Sequence, residues 1–386
     1  MLLVKNRRGV RQQDRPSLWA VALLMTVLLV AGFAPAIGQQ PAAQAQQPAS
    51  PSQTTAQAQQ PTFAQAQPTP PSDTASLSGF NRFFIPADQP QTGRIIGVSG
   101  TIAGLYAGAS VALYNYWYRD YELGRFRMFN DNAEWLQMDK GGHVLSAYYE
   151  TNWAYGLFNW AGMPKGKAIA YAGMTSTVIQ LTIEVFDGFS EEWGFSGGDI
   201  LANTAGTALS MGQQALWDEQ RMQLKFSFYP VDYDGIGDPQ LVARSEELFG
   251  TAFAETLLKD YNGLTYWLSV NPASFSPGLQ KARWWPDWLN VALGYGAEGL
   301  YGGFDNHWCA DAGLKPEQCP EAQLITRYDV PRQRQYFLSL DVDLTRIETQ
   351  KPFLRTLFGV ISVIKVPAPA LEYRSGQGFK GHWIYF

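Results

Sequence analysis

An α+β fold is predicted, with an apolar four-helix domain followed by an antiparallel β-rich domain. Three observations carry it. Between residues 77 and 223 the chain is apolar, aromatic and glycine-rich, in stretches long enough for helices and broken by turn residues. After Gln223 the apolar period changes to two, as in strands with one apolar face. Before residue 77 nothing is patterned for a fold.

The N-terminus carries Lys5, Arg7, Arg8, Arg11 and Arg15, then an apolar run over 18–33, then Ala34-Pro35-Ala36. These are the three parts of a secretory signal, so 1–36 is expected to direct export; an uncleaved anchor helix is the alternative. No Cys follows the apolar run, so no lipid-modified N-terminal Cys is expected. Residues 37–76 are almost entirely Gln, Ala, Pro, Ser and Thr. That composition buries too little apolar surface to offset the entropy of ordering, and a disordered spacer is expected.

The first helix is expected over 95–118, a charge-free run long enough to cross a bilayer. Gly100, Gly104 and Gly108 at four-residue spacing would let another helix approach closely, and Tyr114, Tyr116, Trp117 and Tyr118 crowd its end as at a membrane interface. A buried core helix is the alternative. A polar connector over 119–137 precedes a second helix at 138–160, which Met163-Pro164-Lys165-Gly166 stops. The third helix should span 167–186 with Asp187-Gly188 as its end, and the fourth 199–221. Strands are expected around 224–228, 264–270, 291–295, 336–345 and 380–386, with a short helix over 353–364 stopped by Pro367 and Pro369. The sheet is expected to pack its apolar face on the helices, leaving Asp341 and Asp343 on the solvent face. The alternative turns the apolar face to lipid, as outer-membrane barrels do.

The candidate site lies in 139–203. Asp139 and His143 are four apart, Glu184 and Asp187 three apart, Asp199 and Asn203 four apart, so each pair shares a helix face. Ionisable groups on apolar helices are costly unless they meet partners, a ligand or water. With Lys140 they are the expected binding residues. His143 would carry a proton oriented by Asp139 or Glu184. The oxygen-rich donor set would suit Mg²⁺ or Ca²⁺ better than zinc. The competing explanation is a polar lock between helices, and no metal or cofactor is expected. Gly194-Phe-Ser-Gly-Gly198 matches a hydrolase nucleophile pattern, but no buried strand precedes it; Ser196 is read as a helix cap with Asp199 three residues on.

The only cysteines, Cys309 and Cys319, are expected to form a disulfide in an exported chain. A zinc site with His307 and Asp311 is the alternative. The net charge of -5, the pI near 5.4 and the scattered basic residues exclude a nucleic-acid partner.

Asp139-Lys140-x-x-His143, Glu184, Trp193-x-x-Ser196 and Asp199 together resemble the YfiM-like family of uncharacterised predicted periplasmic lipoproteins. The resemblance is strongest over 135–225. The part beyond, through Lys365-Val-Pro-Ala-Pro-Ala-Leu-Glu372, looks like longer envelope proteins of Bacteroidetes-type bacteria. A looser similarity links Asp-Lys-x-x-His, the Glu and Asp-x-x-x-Asn to VanZ-like membrane proteins. The resemblance implies a location and a motif, and departs from a lipoprotein in lacking the Cys. The expectation is an exported, membrane-associated protein of the periplasm or outer membrane that binds or scaffolds a lipid, glycan or envelope protein. A lipid- or envelope-modifying enzyme using His143, Glu184 and Asp199 is the second expectation.

Overall fold

Small residues on the inner faces let the helices of the first half approach closely. In the computed structural model of the chain, which describes residues 77–113, 124–190, 193–282, 284–311, 314 and 316–386, this half holds five helices. They are α1 (Gly79–Phe83), α2 (Thr92–Leu113), α3 (Met138–Trp160), α4 (Lys165–Phe189) and α5 (Gly197–Trp217). The expected signal, the spacer and the aromatic end at 114–118 lie outside the described residues. A two-residue parallel bridge joins β1 (Met128–Phe129) to β2 (Phe195–Ser196) and pins the connector beside the start of α5. Two helix ends differ from expectation. Gly188 does not stop α4, because it is buried where Phe126 packs and a Cβ would stand 2.3 Å from that ring. The α5 helix ends at Trp217, where Asp218 takes left-handed φ of 61°.

The contact between α3 and α5 is set by Gly206, whose Cβ would lie 2.2 Å from the Val144 carbonyl oxygen. Replacing Gly206 by Ala should lower stability by about 2 kcal/mol, because two backbones must separate. Gly212, with nothing within 4 Å, should gain up to about 1 kcal/mol as Ala from helix propensity alone. Urea midpoints of the two variants on the same side of wild type would contradict this packing.

The second half contains β3 (Met222–Phe228), α6 (Pro239–Phe249), α7 (Phe253–Lys259), β4 (Leu264–Val270), α8 (Pro277–Gln280), β5 (Leu289–Glu298), β6 (His307–Cys309) and β7 (Leu324–Thr326). It ends with β8 (Gln333–Val342), α9 (Pro352–Ile361), β9 (Ala368–Arg374) and β10 (Gly378–Tyr385). Six strands form one antiparallel sheet in the order β10-β9-β8-β5-β4-β3. The fold is thus α+β, helices first and sheet second. The sequence reading passed over α6, although Asp238 caps it and Pro239 occupies its first turn. It also passed over β9, which Pro369 enters near its first residue. Cys309 and Cys319 are joined, closing the loop between β6 and β7. The four-ligand zinc alternative therefore has no thiolate to offer, and His307 Nδ1 lies instead 2.6 Å from Thr326 Oγ1.

The sheet departs from expectation in which face is inside. Its buried face carries many polar residues around a small apolar cluster of Trp267, Ala292 and Phe337: Lys225, Ser269, Asn290, Asp341 and Glu372 are all 1% exposed or less. Asp341 and the following Asp343 are therefore interior, not solvent-facing. Lys225 Nζ stands 2.6 Å from Asp341 Oδ2, which also accepts from Ser269 Oγ at 2.6 Å. The apolar face packs on helices only at one side. There Leu224 and Phe226 meet the cluster of Tyr148 and Tyr149, and Phe228, Leu264 and Ala297 meet Met138.

Candidate functional site

The polar residues singled out above lie where the N-termini of α3 and α5 meet the C-terminal part of α4. A strained turn delivers the first of them. Trp135, Leu136 and Gln137 take positive φ of 48°, 51° and 66°, a left-handed run that L side chains resist. Such a run persists only where its surroundings hold it. Here Trp135 N donates to Gly303 O at 2.6 Å, the Tyr295 hydroxyl donates to Leu136 O, and Arg334 Nη2 donates to Gln137 Oε1 at 2.7 Å. The helix that follows starts at Met138, fully buried, so Asp139 and Lys140 emerge at a fixed angle.

Lys140 is the hub. Its Nζ lies 2.8 Å from Asp131 Oδ1, 3.2 Å from Asp139 Oδ2 and 2.7 Å from Asp199 Oδ1, while its side chain is 14% exposed. Gly198 makes room for it, since a Cβ there would stand 3.1 Å from Lys140 Cε and 2.1 Å from Asn132 Oδ1. Ser196 caps α5 by accepting from Asp199 N at 3.1 Å, and its hydroxyl donates to Asp131 Oδ1 at 2.5 Å. That occupied hydroxyl, on the last residue of a two-residue strand, lacks the exposure of a strand-to-helix nucleophile.

His143 sits beside the hub, with its side chain 18% exposed. Its Nδ1 is 3.1 Å from Asn203 Oδ1, and with Asn203 in this orientation Nδ1 is the donor. Nε2 then faces Asp199 Oδ1 at 3.6 Å and Asp139 Oδ1 at 3.8 Å. Glu184 Oε1 is 3.9 Å from Nδ1, too far for a hydrogen bond, while Oε2 accepts from Ser196 N at 3.2 Å. Glu184 Oε1 and Asn203 Nδ2 are buried without a hydrogen-bond partner among the described residues. Asp187 lies on the next turn of α4, where its carbonyl accepts from Ser190 N at 3.0 Å and its charge acts on Glu184.

Four partners were missed in the sequence. Asp131 arrives through the β1–β2 bridge, Glu134 through the strained turn, and the Tyr261 hydroxyl donates to Asp139 Oδ1 at 3.1 Å from beyond α7. None has a local spacing signal. Glu150 does, being two helical turns after His143, and it accepts from Ser176 Oγ at 3.1 Å and Gln180 Nε2 at 2.9 Å.

Carboxylates outnumber cations here, and the protons respond. Burial, with Asp139 and Asp131 adding their charge, pushes Glu134 up to about 7. Burial, then Asp139, pushes Asp199 up to about 6 against the pull of His143 and Lys140. Burial alone would depress His143, but Asp139, Asp199 and Glu184 outweigh it and raise it. Each of these three has a folded pKa above its unfolded one, so each stabilises while protonated and loses that contribution as pH rises through its folded value. Asp131 has the opposite sign: burial works against it, yet Lys140 and Ser196 hold it low, so its contribution fades only in acid. The thermal midpoint should therefore be higher at pH 5 than at pH 8, with Glu134→Gln flattening the slope. A midpoint that rises towards pH 8 would contradict these protonation states.

Asp139, His143 and Asp199 offer donor atoms within 4.8 Å of one another, a spacing that could hold a metal ion. The donor chemistry does not favour one, because the Lys140 ammonium already bridges two of the three. A dication would have to expel it or bear its charge.

Residues 127–214 match the model of a family described as "Predicted periplasmic lipoprotein (DUF2279)". That stretch contains the whole cluster apart from Tyr261, and it places the chain among exported, membrane-associated proteins of the cell envelope. Both cysteines of the chain lie in the disulfide, outside that stretch. Nothing matches among curated proteins or among solved structures.

Proposed function

We propose that this is an envelope binding protein whose polar cluster takes up a hydroxyl, which can donate to Glu184 Oε1 and accept from Asn203 Nδ2, from a lipid, glycan or envelope-protein partner. The reading refines the periplasmic-lipoprotein description towards the YfiM-like resemblance. One observation carries it: Glu184 Oε1 and Asn203 Nδ2 are buried beside the His143 ring with no hydrogen-bond partner among the described residues. A lock between helices would satisfy such atoms, since an unmet buried polar group costs about 1–3 kcal/mol. The strained turn at 135–137 supports the same reading, because strain of that kind collects where binding or chemistry needs it. The surplus of carboxylates selects donors and cations and repels phosphate or carboxylate groups.

A second reading, a lipid- or envelope-modifying enzyme, draws on His143. Its proton on Nδ1 is held by Asn203 and its Nε2 is turned towards Asp139 and Asp199, the arrangement of an oriented acid–base group. Burial lowers its pKa, but Asp139, Asp199 and Glu184 outweigh that and raise it, which favours the proton-bearing form.

Glu184→Gln separates a binding site from a lock. In a site, the amide removes a buried carboxylate with an unmet oxygen, so thermal stability should stay level or rise by about 1 kcal/mol while cellular function is lost. A midpoint several degrees below wild type would instead make Glu184 part of a lock.

A further inference from the structure

The outward face of the sheet is ordered in rows. Across the strands in register, Leu224, Leu268, Leu293, Leu338 and Leu371 stand side by side. Two residues further along each strand, Phe226, Tyr266, Tyr295, Tyr336, Tyr373 and Phe379 make an aromatic row over all six strands. Helices cover these rows at β3 and the turn before α3 holds Tyr295, but from β5 onward the leucine row is bare: Leu293 is 55% exposed, Leu338 49% and Leu371 45%. At the other end of β5, Trp288 is 41% and Trp284 72% exposed. From Trp288 to Tyr295 is roughly 24 Å at about 3.4 Å per residue. That matches the roughly 25 Å apolar band, with an aromatic girdle at each edge, of sheets that face lipid.

Shape and charge decide what covers this face. On the polar side the Tyr385 hydroxyl lies 3.1 Å from Thr265 Oγ1, and the Tyr385 ring is 4.4 Å from that of Phe337. In a flat sheet β4 and β10, four places apart, would be about 19 Å apart. The sheet therefore curls around its polar side, and the apolar face is convex. Two convex copies would touch along a line, whereas fluid acyl chains conform to the curve. Between Trp288 and Tyr295 the outward residues of β5 are Leu289, Val291 and Leu293, with charge returning only beyond the band, at Asp287 in the turn before the strand and at Arg334 on β8. An uncharged band with charged ends is the electrostatic complement of a hydrocarbon layer between two headgroup layers. The α4 helix repeats the inversion, with Ser176, Gln180 and Glu184 buried and Met174, Val178 and Leu181 exposed. It is also the one described helix long and apolar enough to cross a membrane by length and composition.

We infer that the convex face of the sheet is a lipid-facing surface that sits in the hydrocarbon of a bilayer, with the tyrosine row at one headgroup level and Trp284 and Trp288 at the other. The inference stands on the sheet and does not depend on what the polar cluster binds. Gly141 and Gly142 pack against Tyr266, so the cluster lies at the level of the tyrosine row.

The test uses the full chain carrying Leu338→Cys or Leu293→Cys, each coupled to an environment-sensitive dye, with Glu321→Cys as the exposed control. Circular dichroism confirms the fold of each. The probe is a vesicle of phosphatidylethanolamine and phosphatidylglycerol, with and without brominated acyl chains. Dyes at 338 and 293 should shift to the blue in vesicles and be quenched several-fold more by the brominated chains, while the dye at 321 should not change. Leu338→Arg should lower vesicle incorporation by on the order of tenfold or more. A dye at 338 that stays water-like in vesicles overturns the inference. So does one shielded without vesicles in a concentration-dependent dimer, which would assign the face to a second copy.

Discussion

Lys225→Met is expected to lower stability by about 4 kcal/mol, the largest loss among single changes considered for the sheet. Lys225 and Asp341 are both without exposure, and removing one partner leaves the other charge buried and uncompensated. The loss is greater than that of an ordinary pair because the neighbours are committed. Lys225 also donates to Val342 O at 2.8 Å, and Asp341 already accepts from Ser269 Oγ and from Val366 N at 3.2 Å. Replacing both together, Lys225→Met with Asp341→Leu, should recover much of the loss, since an apolar pair of similar volume needs no solvation. A double variant as unstable as the sum of the singles would show that the two do not act as a pair.

That pair also shows where reading the sequence stopped. Alternation of Tyr336, Leu338 and Leu340 with Phe337, Ser339 and Asp341 gives the strand and its period. It is symmetric, however, and does not say which set faces in. The rule that apolar residues go inside chose the wrong side, because the partners that make Asp341 tolerable, Lys225 and Ser269, sit on strands distant in sequence. Helices read better. The extent of α3 was plain from its apolar run and from the Pro164 turn, and the pairs Asp139/His143 and Asp199/Asn203 follow from helical geometry alone. Asp131 and Tyr261 were invisible for the same reason as Lys225, as only the folded chain brings them near. Glu150 was legible by its period and was passed over.

Lys140→Met is the second large effect, an expected loss of about 3 kcal/mol at pH 8. One ammonium separates the carboxylates of Asp131, Asp139 and Asp199, and at 14% exposure water replaces little of it. The strained turn at 135–137 leads straight into this helix, so loss of the hub should also loosen the loop that Arg334 and Tyr295 hold. Faster amide exchange at 134–140 than in the rest of α3 would report it.

The Lys140 ammonium holds together an excess of carboxylates around His143. Unfolding free energies of wild type and Lys140→Met, measured between pH 8 and pH 5, test this directly. Without the ammonium the carboxylates repel one another until they bind protons, so acid should help the variant more than the wild type. The gap of about 3 kcal/mol at pH 8 should then shrink steadily towards pH 5. A gap that is absent at pH 8, or that keeps the same size at both ends, would contradict the account.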